Sequence, residues 1–131
     1  MRNGNQTALA RLILGGTLTL ALLGPSRGAP VQQAPRSFVA SPEIYKVIGE
    51  TERYRVIATT WKPGQRDHWH SHRLAGVYYV TDCRLRVYSP DGNSRERETK
   101  AGARGVNEQV QSQSVENIGR SECRLVLIEQ K

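Results

Sequence analysis

The 131-residue chain never strings together the roughly twenty apolar residues that a membrane-spanning helix needs. Its longest uncharged apolar run, residues 12–23 (LILGGTLTLALL), is about twelve long. No segment repeats its apolar residues at the helical period, which argues against a helical bundle. A basic block is missing too: the 19 Lys and Arg and 12 Asp and Glu are interleaved, as in Arg95-Glu96-Arg97-Glu98. Alternation of that kind marks a solvated face. Without a basic patch or interleaved aromatics, nucleic acid is not an expected partner. Cysteine is scarce, with only Cys83 and Cys123. Neither follows the apolar run directly, so a lipoprotein anchor is not expected, and no twin-Arg pair precedes that run.

What is present begins with a leader. Arg2 and Arg11 stand in a charged and polar start, the apolar run follows, and Gly24-Pro25 leads into the small-residue stretch 26–29. This is the layout of a secretory signal peptide cleaved after Gly28. An uncleaved anchor is the competing reading, disfavoured by the length of the run. Residues 1–28 therefore predict a periplasmic or secreted protein with no stable membrane insertion after cleavage. Losing Arg2, Arg11 and Arg27 leaves 16 cationic against 12 anionic side chains, a net charge of +4. In an oxidising compartment two cysteines allow one disulfide, and two separate buried thiols remain the alternative.

Residues 29–42 (APVQQAPRSFVASP) hold three prolines and little periodicity, and read as a tether or an extended lead-in. From residue 43 to 131 short apolar-alternating runs are broken by turns every eight to twelve residues. Runs at 44–48, 54–61, 77–80, 85–88, 96–99, 107–115 and 125–128 are the expected strands, with Ser89-Pro90-Asp91-Gly92-Asn93 the strongest turn. The fold class expected is all-β, a sandwich or barrel.

Between two of these runs lies Pro63-Gly64-Gln65-Arg66-Asp67-His68-Trp69-His70-Ser71-His72. Alternate residues of a strand share a face, so an extended segment puts His68, His70 and His72 on one side and Trp69 on the other, packed between sheets. Neighbouring members would stand about 6.7 Å apart, so two can converge on one ion where three cannot. Imidazole serves zinc, copper, iron and nickel alike. Gln109, Gln111 and Gln113 also alternate, and on a barrel wall they would offer amides to a small polar molecule.

These residues resemble the cupin superfamily, whose members are double-stranded β-helix or jelly-roll barrels that commonly hold a metal at the mouth. The family's first motif is Gly, five residues, His-x-His, three or four residues, Glu, six residues, Gly. Gly64, His70 and His72 match its first half, while the Glu position falls at Gly76 or Val77. In the second motif Gly102 and Asn117 sit at the family's separation, but the Pro, Gly and His positions hold Glu108, Val110 and Gln113. The resemblance runs from about Ile44 to Lys131. It implies a metal set of His70, His72 and Gln113, in which a carboxamide stands for imidazole and no carboxylate offsets a cation. A divalent ion at that set and a metal-free polar pocket are both open at this stage, with His68, Gln111 and Gln113 as ligand-binding residues in either case. Glu108 is left undecided. The family topology also sets the strand near Val80 beside the one starting near Glu122, which brings Cys83 and Cys123 within bonding reach.

Three functions follow from the resemblance. The first is an exported binding module for a small polar molecule, with or without a weakly held metal. The second is a metal-dependent enzyme of dioxygenase, isomerase or lyase type. The third is a structural homodimer with a vestigial site, since cupin sheets pair edge to edge or face to face. The absent Glu and His favour the first, because catalysis needs an ion with an open position and a placed acid or base.

Overall fold

The computed structural model of the protein describes residues 32–131. The expected signal peptide and the first three lead-in residues lie outside them. A short helix, α1 (Ser37–Ala40), precedes nine strands: β1 (Tyr45–Glu50), β2 (Tyr54–Trp61), β3 (His70–His72), β4 (Ala75–Tyr79), β5 (Cys83–Tyr88), β6 (Ser94–Thr99), β7 (Arg104–Asn107), β8 (Val110–Asn117) and β9 (Cys123–Gln130). They form two antiparallel sheets, in the orders β1-β2-β9-β4-β7 and β3-β8-β5-β6. The fold is the all-β double-stranded β-helix.

The alternation that marks these runs in the sequence also sets their inner face. On β4, Ala75, Val77 and Tyr79 are buried while Gly76 and Tyr78 are exposed. On β9, Cys123, Leu125 and Leu127 are buried in step with them, and Tyr79 pairs with Leu125 and Val77 with Leu127. Ile57 and Trp61 add the β2 contribution to the same core. Each large apolar side chain so enclosed is worth about 1.5–3 kcal/mol over leaving it in water. The Pro63-Gly64 turn after β2 needs φ of +74° at Gly64, a conformation that glycine adopts without a Cβ clash. Gly102 at φ +83° does the same between β6 and β7.

The expected strand over 107–115 is two strands in different sheets. Between β7 and β8 the chain crosses from one sheet to the other, and Glu108 and Gln109 occupy that crossing. The lead-in is docked as well. Arg36 bridges in parallel to Ser71, the Ser71 N–H donates to the Pro35 carbonyl at 2.7 Å, and the Ala34 N–H donates to the Gln111 carbonyl at 3.0 Å.

Cys83, at the start of β5, and Cys123, at the start of β9, form a disulfide with 4.9 Å between their Cα atoms. Because β5 and β9 belong to different sheets, the bond joins the two walls of the barrel.

Candidate functional site

Between the two sheets lies a cavity of about 370 Å³. His70, His72 and Gln113 line it together with the apolar walls Leu85, Val115 and Leu127. His70 stands directly opposite Gln113 in the β3–β8 pairing, which is why the two meet. The Gln113 amide nitrogen lies 3.4 Å from His70 Nε2. Both imidazoles are buried, and each has Nδ1 against a backbone carbonyl at 3.0 Å: that of His68 for His70 and that of Arg73 for His72. A neutral ring then carries its proton on Nδ1 and keeps Nε2 as an acceptor, an assignment made from these partners. Burial pushes the His72 imidazole below its ordinary range, partly offset by its bond to the Arg73 carbonyl.

Beneath His70 sits a hub that sequence reasoning did not single out. The Asp67 carboxylate is buried and accepts from the Tyr45 hydroxyl at 2.6 Å, from Trp61 Nε1 at 3.2 Å and from the Val115 N–H at 2.6 Å. Its Oδ1 also lies 3.5 Å from His70 Nδ1. Burial, then the Asp67 charge, holds the Tyr45 hydroxyl well above its usual range, so it stays a donor. The Tyr45 oxygen is 3.4 Å from His70 Nε2. Asp67 thus fixes the ring that faces the cavity while its own oxygens stay out of it. A second buried carboxylate, Glu129, occupies an inward position of β9, where it pairs with Arg36 and accepts from the Arg73 N–H at 3.3 Å. One further cavity residue, Ser37, comes from the lead-in, and its buried hydroxyl has no hydrogen-bond partner.

Two expected ligand-binding residues stand elsewhere. His68 is exposed and outside the cavity, with its ring Nδ1 3.2 Å from the Ser41 hydroxyl. A bend at Trp69 breaks the alternation before β3 begins, so His68 does not share the face of His70 and His72. The same bend leaves Trp69 at 42% exposure instead of packed between sheets, with the Arg66 guanidinium 5.8 Å above its ring. Gln111 is exposed and off the cavity as well. The pairing steps from His70↔Gln113 to His72↔Val110, two residues on β3 against three on β8. Such a bulge slips the alternation by one, and Val110 takes the inward place that period-two counting assigns to Gln111. Gln109 does line the cavity.

A divalent ion needs more than this site provides. Two imidazole nitrogens and one carboxamide form the donor set, and the carboxamide nitrogen already faces His70 Nε2. Among the described residues no three His, Cys, Asp or Glu side chains converge on a point. Glu108 lines the same cavity but does not group with the two imidazoles, so these residues do not fit a resident divalent metal.

The neutral, depressed His72 has a consequence for stability. Its unfolded imidazole takes a proton near pH 6.5 and the folded one only at lower pH. As pH falls below about 6.5 the unfolded chain binds more protons, so this group's contribution is complete above that pH and is lost below it. The urea midpoint is expected to fall between pH 7.5 and pH 5.5, and to fall less in His72→Gln. An equal fall in both proteins would refute the assignment.

No protein-family model matches the chain, and no curated protein is significantly similar to it. Solved structures are. A cupin domain from Bordetella pertussis Tohama I superposes with a TM-score of 0.62 at 25% identity, over 76% of this chain and 97% of that one. A conserved protein with a double-stranded β-helix domain from Klebsiella pneumoniae gives a TM-score of 0.53 at 20% identity, over 66% and 75% of the two chains. Oxalate decarboxylase of Bacillus subtilis, with Mn(II) centres, reaches a TM-score of only 0.47 over 60% of this chain and 22% of its own, too loose a fit to carry chemistry across. With its strand order, its His-x-His strand at the cavity and the likeness to the Bordetella domain, the chain is a member of the cupin superfamily.

Proposed function

We propose that the protein is an exported binding module that holds a small polar molecule in the barrel cavity, in the periplasm or outside the cell, without a resident metal. One observation carries this reading. A partly open space of about 370 Å³ presents the ring nitrogens of His70 and His72, the Gln113 amide and the unpartnered Ser37 hydroxyl beside the apolar side chains of Leu85, Val115 and Leu127. A cavity of this size with a few convergent polar groups suits a small ligand. The N-terminal leader supports export, and the Cys83–Cys123 bond is at home in an oxidising compartment.

Elemental analysis of untagged protein, with a calorimetric screen of polar metabolites beside it, tests the reading. Less than a tenth of an equivalent of any transition metal is expected, together with a ligand whose affinity falls about tenfold or more in Gln113→Ala. Stoichiometric metal that disappears in the His70→Ala, His72→Ala double variant would overturn it in favour of a metal-dependent protein.

A further inference from the structure

The interleaved charges of β6 are sorted by the barrel. Strand β6 pairs with β5 so that Arg97 stands opposite Leu85 and Arg95 opposite Val87. Residues directly opposite in an antiparallel pair share a face. Leu85 and Val87 line the cavity, and Arg95 and Arg97 line it with them. On the outer face Glu96 accepts from Arg84 at 3.1 Å and from Arg86 at 2.6 Å, and Glu98 stands opposite Arg84, so two carboxylates meet two guanidiniums there. The inner face does not. Among the described residues neither Arg95 nor Arg97 takes part in an ion pair, and the one carboxylate lining the cavity is Glu108. The two buried carboxylates nearby, Asp67 and Glu129, are already engaged by the donors described above.

The cavity is therefore polarised. Two guanidiniums against one carboxylate stand toward the β6 edge of the four-stranded sheet, while its β3 edge offers the ring nitrogens of His70 and His72. From this we infer that the ligand is a small hydroxylated carboxylate, its carboxylate held by Arg95 and Arg97 and its hydroxyl donating to the imidazoles of His70 and His72. Guanidinium forks match the two oxygens of a carboxylate, and such charge-assisted pairs are the strong ones. A hydroxyl supplies the donor that an unprotonated Nε2 requires. The inference rests on the cavity being a binding site, and it names what the cavity selects.

Calorimetric titration of the full protein with four probes tests it: tartrate, succinate, threitol and inorganic phosphate. Tartrate carries both charge and hydroxyls, succinate only the charge, and threitol only the hydroxyls. Tartrate is expected to bind about tenfold or more tighter than either of these, and tighter than phosphate. Its affinity is expected to drop by the same factor in Arg95→Gln, Arg97→Gln and to weaken between 50 and 500 mM salt, since an exposed rim charge is screened. Both arginines are exposed, so the thermal midpoint should not move and a folding defect would be visible separately. Equal binding of tartrate and threitol, lost in Gln113→Ala but kept in the arginine variant, would overturn the anion assignment and leave the cavity as a site for neutral molecules. Tighter binding of phosphate than of tartrate would replace the carboxylate by a phosphoryl group. Binding of none of the four would remove this inference, while a different ligand sensitive to Gln113→Ala would still keep the cavity as a binding site.

Discussion

Replacing Cys83 and Cys123 together by alanine is expected to lower the unfolding free energy by about 4 kcal/mol, the chain-entropy value for a loop of 40 residues. The figure follows from the position of the bond. It joins β5 and β9, which lie in different sheets and far apart in the chain, so the unfolded ensemble gains much freedom when it is cut. Alanine avoids burying a new hydroxyl at two sites that are 4% and 0% exposed. Guanidinium unfolding of the wild type, the reduced wild type and the double variant would measure the effect. The last two should agree with each other and fall well below the first. A loss under about 1 kcal/mol would mean that native strain or residual denatured structure cancels the loop term.

The second large effect is expected at Asp67. Asp67→Ala leaves three buried donors without an acceptor: the Tyr45 hydroxyl, Trp61 Nε1 and the Val115 N–H. At about 1–3 kcal/mol for each unmet group, and with incomplete additivity inside one network, the loss should be about 3–5 kcal/mol. Asp67→Asn keeps one oxygen but turns an amide N–H toward a donor, so it should recover only part of this. Because Asp67 also sits against His70, ligand affinity in the folded fraction should drop in both variants. Urea unfolding followed by Trp61 fluorescence reads the first effect and calorimetry the second. Wild-type stability in Asp67→Ala would show that water reaches these donors.

The architecture was legible in the sequence because its cause is local. Alternating apolar residues and Gly-containing turns place each strand, and β2 runs from Tyr54 to Trp61 as its pattern predicts. The His70, His72 and Gln113 grouping followed from the cupin resemblance, and β3 and β8 do set His70 against Gln113. What escaped depends on long-range geometry. A bend at Trp69 and a bulge on β8 each slip the alternation, and they remove His68 and Gln111 from the cavity. The Arg95-Glu96-Arg97-Glu98 run reads as a solvated face, and its even half is one. Only the pairing of β6 with Leu85 and Val87 reveals that the odd half faces inward. Asp67 and Glu129 carry no local sign of burial, because their partners Tyr45, Trp61 and Arg36 are supplied from other strands or from the lead-in.

The docking of Arg36 and Ser37 bears on where the working unit of this protein starts. A shortened version beginning at β1 would keep every β-strand of the described residues and still be incomplete. Glu129 would lose its counter-ion inside the wall, and the space beside His72 would open to bulk water on that flank. Fusion partners and cleavage sites are therefore best placed upstream of Ala34, the first of the described residues to bond to the barrel.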